Sequence, residues 1–146
     1  MRTPQIPALP GMTPLGIAPT LTVESLALLR RFIGPAQMAA LRECLVGEEG
    51  AWFRATLATL THRIATMPKT YEQDGLGDAA IVYLHYFTPA GDWYITEKDD
   101  EAVQHQAFGL ANLGYPELGY VSLPEILAAG AELDLHWAPK PLAEIR

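Results

Sequence analysis

Two histidines and two carboxylates carry the sharpest hint of chemistry in the chain. His85 and His136 fall in segments with strand character, and if those strands are neighbours, His85, His136, Asp134 and Glu97 converge on one sheet face. Neutral imidazoles and carboxylates are the usual nitrogen and oxygen ligands of zinc and other divalent cations, so a small metal-dependent hydrolase could be built on this set. The set contains no local ligand pair of the His-x-x-x-His kind, and ordinary hydrogen-bonded sheet histidines give the same pattern. A second group is acidic. Glu97, Asp99, Asp100 and Glu101 close a strand, while Tyr71, Glu72, Asp74 and Asp78 lie in a glycine-rich loop, and together they form a candidate partner-binding surface. Paired carboxylates perform general acid–base work only when their environments differ, which a run of adjacent exposed acids seldom provides. No nucleophile elbow, phosphate-cradling loop or dinucleotide fingerprint is present, because Gly75-Leu76-Gly77-Asp78 precedes a strand instead of opening a helix. No cofactor is expected, and the lack of a catalytic motif points away from an enzyme.

The elements that must position these residues can be read from periodicity and turn chemistry. Residues 1–20 contain Pro4, Pro7, Pro10, Pro14 and Pro19, which suggests an extended polyproline-like arm. Val23, Leu26, Leu29 and Phe32 then mark a helical face over residues 23–33, with Thr22 as its N-cap. Gly34-Pro35 stops that helix and starts another, striped by Met38, Leu41 and Leu45. This hairpin, residues 21–47, could bury its stripe at home or in a homodimer. A third, longer helix over about residues 51–66 presents Trp52, Phe53, Leu57, Leu60 and Ile64 to one side. The loop from Met67 to Asp78 is long enough to be a lid or a binding loop.

Strands follow at Ala80 to Phe87, which is apolar on both faces, at Trp93 to Glu97, at Ala107 to Leu110, at Gly119 to Val121 and at Glu132 to Trp137. Ser122-Leu123-Pro124-Glu125 is a capping box that opens a short helix before Gly130. The expected class is α+β: a small antiparallel sheet of about five strands packed by the long helix and preceded by the helical hairpin. Residues 48–146 would form the α+β domain.

Charge is divided unevenly. The chain carries −7 over 146 residues, but residues 1–66 sum to +2 and residues 67–146 to −9. The acidic part repels phosphate backbones, so direct nucleic-acid binding is disfavoured and a protein partner is favoured. With 49% apolar and 18% charged residues and no apolar run of membrane-spanning length, a cytoplasmic protein is expected. The single cysteine, Cys44, excludes an internal disulfide.

Several separated motifs occur in an order that resembles domain-of-unknown-function family 2958. They are Tyr86-Phe87-Thr88-Pro89, Trp93-Tyr94-x-Thr96-Glu97-x-Asp99, Phe108-Gly109-Leu110, Glu117-Leu118-Gly119-Tyr120-x-Ser122-Leu123-x-Glu125-Ile126, and Asp134-Leu135-x-Trp137-x-Pro139-x-Pro141-Leu142-x-Glu144-Ile145. The likeness covers about Ile81 to Ile145, with the Met67 to Gly75 block similar to an extension in plasmid- and phage-associated relatives. Members often carry Glu-Arg-Asp-Leu before the last strand, and the arginine is absent from Glu132-Leu133-Asp134-Leu135. The resemblance implies a small accessory protein of bacterial mobile elements, and transfers no activity. The leading expectation is a non-catalytic protein-interaction module, with the metal-dependent hydrolase and an acidic DNA mimic acting on a nuclease or regulator as alternatives.

Overall fold

The computed structural model describes residues 21–100 and 106–145; the proline-rich arm and Glu101 lie outside the described residues. Three helices come first: α1 (Val23–Leu29), α2 (Pro35–Val46) and α3 (Gly50–Thr66). Thr22 caps α1 by accepting from the Ser25 amide at 3.0 Å. This helix is shorter than its apolar spacing predicts. Gly34 is extended, as a residue before proline prefers, and the chain tightens through turns after Leu29 so that Phe32 and Ile33 both point inward. At the next corner, Gly50 is obligatory, since a Cβ there would stand 2.3 Å from the Leu45 carbonyl oxygen.

A five-stranded antiparallel sheet holds β2 (Leu84–Thr88), β3 (Gly91–Glu97), β4 (Gln106–Asn112), β5 (Pro116–Ser122) and β6 (Glu132–Leu133) in the order β5-β4-β3-β2-β6. A two-stranded sheet pairs β1 (Ile81–Val82) with β7 (Lys140–Pro141). The expected single strand over residues 80–87 is therefore two, which part at Tyr83. The expected strand over residues 132–137 ends at Leu133 because Asp134 Oδ1 accepts from the His136 amide at 2.9 Å, a side-chain turn that takes the chain out of the ladder. The helix α4 (Leu123–Ala128) begins as predicted, with Ser122 Oγ accepting from the Glu125 amide at 3.3 Å.

The sheet is coated on both sides. Leu84, Tyr86, Trp93, Ile95, Ala107 and Val121 pack with Leu57, Leu60 and Ile64 of α3 and with Leu29, Phe32, Ile33, Met38 and Leu41 of the hairpin. The hairpin's apolar stripe is thus used within the chain. Tyr86 is 0% exposed and its hydroxyl donates to the Phe32 carbonyl at 2.5 Å, so β2 is bonded directly to the turn of the hairpin. On the other face a smaller cluster, Ala80, Val82, Leu110 and Leu142, leaves room at one end.

The β6 edge is closed by a side chain. Gln37 Nε2 donates to Leu133 O at 2.9 Å and Gln37 Oε1 accepts from Leu133 N at 2.8 Å, so one amide imitates a neighbouring strand. Gln37→Ala is expected to cost about 1–3 kcal/mol by leaving both groups unsatisfied, measured as a lowered urea midpoint at unchanged m-value.

Candidate functional site

The decisive local feature is a β-bulge. Ile95 pairs with Gly109, but Glu97 pairs with Phe108, so Thr96 is an extra residue in β3. Strict alternation from Trp93 and Ile95 would aim Glu97 at the helices. The bulge turns it to the opposite face, where it stands in a cross-strand row with Phe108 and Tyr120. Lys98, next in sequence, is carried elsewhere: its Nζ donates to Ile64 O at 2.7 Å and Ala65 O at 3.2 Å, at the C-terminal end of α3.

The loop after α3 folds over this row. Gln73 is buried and pins the loop, donating to Ile81 O and Thr96 O, both at 2.8 Å, and accepting from Ile81 N at 2.7 Å. Thr70 N donates to Lys98 O at 2.9 Å. Between the two anchors Tyr71 has φ 74°, a left-handed conformation uncommon for a residue with a bulky side chain. That conformation aims the Tyr71 amide at Glu97 Oε1, 2.5 Å away, and its hydroxyl reaches Tyr120 Oη at 2.8 Å. The loop, expected as a lid or a binding loop, thus forms one wall of the site.

Between wall and sheet lies a cleft of about 420 Å³. Glu97, only 5% exposed, forms its floor; Tyr71, Tyr120 and Asp74 form its polar rim; Phe108, Leu118 and Leu142 form its apolar side. Burial holds the Glu97 carboxyl above the ordinary glutamate range, the Tyr71 amide partly offsets this, and the charges of Asp74 and Glu72 push it further up. The hydrogen bond with Tyr71, in which the Tyr120 hydroxyl donates in its neutral form, keeps the Tyr120 phenol above its usual value. No cationic side chain among the described residues forms an ion pair with Glu97.

Of the predicted partner-binding residues, the structure brings Tyr71, Asp74 and Glu97 into the cleft. Glu72 lies just outside, accepting from the Lys69 amide at 2.6 Å. Asp78 stands in the short 3-10 turn Gly77–Ala79, Asp99 accepts from the Gln106 amide at 3.3 Å, and Asp100 faces Lys69 at 3.5 Å. Phe108, Leu118, Tyr120 and Leu142 were not anticipated as lining residues. The cue available for the β5 pair was period-2 alternation, which places Leu118 and Tyr120 together on one side of their strand.

The four proposed metal ligands do not converge. His85 is held between two carboxylates, Nδ1 to Asp134 Oδ2 at 2.9 Å and Nε2 to Asp92 Oδ1 at 2.7 Å, and its ring stacks on Tyr94 with centroids 4.8 Å apart. His136 has left the sheet and lies against Trp52, ring centroids 5.3 Å apart. Glu97 is engaged in the cleft with the Tyr71 amide. Among the described residues no group of three or more His, Cys, Asp or Glu could hold a metal ion. The His85 cluster ties β2 to the start of β3 and to the turn after β6. His85→Ala is expected to cost about 1–3 kcal/mol in chemical denaturation by removing two charge-assisted contacts.

Fold and site together define an α+β domain with a small acidic, aromatic-walled cleft. The chain belongs to the family described as protein of unknown function (DUF2958), whose model matches residues 54–138. The match takes in most of α3 and the whole loop that walls the cleft, beyond the Ile81 start that the motifs alone indicate. No curated protein and no solved structure matches the chain. No described helix is long and apolar enough to cross a membrane.

Proposed function

We propose that this protein is a non-catalytic recognition module that takes a lysine or arginine side chain of a protein partner into the cleft above Glu97. The observation that carries the reading is a buried carboxyl group with no ion-paired cation among the described residues, at the floor of a cavity with two more carboxylates near and aromatic rings at its sides. A guanidinium or ammonium entering there would meet Glu97 and Asp74 as charge partners and the Tyr71, Phe108 and Tyr120 rings as polarisable walls. The cavity volume of about 420 Å³ lies within the roughly 300–1,000 Å³ of small-molecule sites, so one such side chain enters with room to spare. The −9 charge of residues 67–146 favours approach of a basic partner. An accessory role in a bacterial mobile element is supported by the family resemblance.

The test is a titration of the ¹⁵N-labelled protein with N-acetyl-arginine amide and with its uncharged isostere, the citrulline analogue. Shifts at Tyr71, Gly75 and Tyr120 with the first and not the second support the reading. Equal response to both, or response only at distant residues, contradicts it. A DNA mimic would show the same acidic surface, but DNA would then compete for the partner; a lysine-binding cleft predicts that DNA does not compete.

A further inference from the structure

The walls of the cleft offer a cation more ring surface than hydrogen-bond acceptors. The Phe108 and Tyr120 rings meet at 81° with centroids 5.4 Å apart, and Tyr71 joins them from the loop through the hydroxyl pair at 2.8 Å. The polar groups of the loop are bonded within the fold. Gln73 makes the three bonds that pin the loop, and Thr70 Oγ1 donates to Lys98 O at 3.1 Å. The carbonyls of Tyr71, Gln73 and Gly77 accept from the amides of Asp74, Leu76 and Ala80. Two carboxylates line the cleft, Asp74 and Glu97, and one oxygen of Glu97 already accepts from the Tyr71 amide.

An unmodified lysine ammonium brings three N–H donors into such a site, and every donor that loses water without gaining an acceptor is costly. Two N-methyl groups remove two of those donors, keep the positive charge and present apolar surface that carries part of it to the aromatic rings. The single remaining N–H matches the buried carboxylate on the floor. A third methyl group would remove that donor and forfeit the charge-assisted hydrogen bond to Glu97. The cavity of about 420 Å³ has the space for the added methyl groups.

We infer that the cleft selects a dimethylated lysine side chain of the partner, with its N–H on Glu97 and its methyl groups against Tyr71, Phe108 and Tyr120. The inference rests on the proposed cation recognition and narrows it to one modification state of one residue type. Binding of the partner then depends on prior N-methylation of that lysine.

The test is a titration of the ¹⁵N-labelled full chain with four probes: N-acetyl-lysine methylamide, its Nζ-dimethyl form, its Nζ-trimethyl form, and the uncharged analogue in which carbon replaces the nitrogen of the trimethyl group. The dimethyl form should bind most tightly, at least about tenfold better than the unmodified probe, the scale of a desolvated cation–π contact. It should exceed the trimethyl form at least about threefold, the scale of one hydrogen bond, and the uncharged analogue should be the weakest of the four. Glu97→Gln should erase the margin of the dimethyl over the trimethyl form. Equal or tighter binding of the unmodified, trimethyl or uncharged probe overturns the inference, as does a dimethyl-over-trimethyl margin that survives Glu97→Gln. If the methylated probes fail while N-acetyl-arginine amide still binds, the methyl-lysine inference alone fails; if no cationic probe binds, the cation-recognition reading fails with it.

Discussion

Gly109→Ala is expected to destabilise the protein by about 3 kcal/mol or more, the upper end of the cost of overpacking, and to abolish ligand binding in the cleft. A Cβ at Gly109 would lie 2.0 Å from Tyr94 O and 2.9 Å from Ile95 Cα. Both are backbone atoms of β3, which is held on its two sides by β2 and β4, so neither can retreat without moving the middle of the sheet. Gly109 also stands opposite Ile95, immediately before the extra residue Thr96, so the strain falls where the chain turns Glu97 toward the cleft. Its neighbour Gly119 on β5 provides the control: a Cβ there meets open space, and Gly119→Ala should stay within about 0.5 kcal/mol of the parent. Urea denaturation of the two variants decides the matter. Equal midpoints would mean that the close approach at Gly109 is not a structural requirement.

Glu97→Gln should act in opposite directions on stability and on binding. Glutamine keeps the shape and can still accept from the Tyr71 amide, but it removes a carboxyl group that burial and the charges of Asp74 and Glu72 make costly to ionise. Because the folded-state pKa of Glu97 is raised, its stabilising contribution is complete below the unfolded value and is lost as pH rises through the folded value. The variant should therefore be more stable than the parent at pH 7, by about 0.5–2 kcal/mol as is typical when a functional compromise is relieved. The difference should shrink as pH falls through the raised Glu97 midpoint. Affinity for N-acetyl-arginine amide should fall about 30-fold or more, equivalent to the ~2 kcal/mol or greater cost of removing one partner of a buried charge pair. In the parent, the same affinity should decline on acidification as Glu97 takes up its proton. Thermal melts at pH 7 and pH 4, with the probe titration, check both halves.

Much of the fold was legible because its cues are local. Thr22 and Ser122 cap their helices as their types and spacing require, Gly34-Pro35 divides the hairpin, and the β-branched and aromatic segments lie in the sheet. The α+β class with about five strands follows from these. The site was legible only as a set of acids, because what assembles it is not local. Alternation through Trp93 and Ile95 directs Glu97 to the wrong side, and nothing in Ile95-Thr96-Glu97 announces an extra residue; the nearest cue is Gly109 on the facing strand, a glycine where backbones come close. His136 fails as a ligand for a similar reason. An alternating Leu133, Leu135 and Trp137 implies a strand, but the Asp134 side chain captures the His136 amide and ends it. The Met67 to Asp78 loop is too long for a simple connection, which composition shows, but the three hydrogen bonds by which Gln73 pins it are tertiary and composition does not carry them.

The Glu97 carboxyl carbon reports directly on whether the cleft is built for a cation. Its ¹³C shift, followed against pH in the full-length protein with and without saturating N-acetyl-arginine amide, should titrate above the ordinary glutamate range in the free protein and move to lower pH when the probe is bound, because a cation beside it favours the charged form. A midpoint in the ordinary range, or one that the probe leaves in place, would contradict the account.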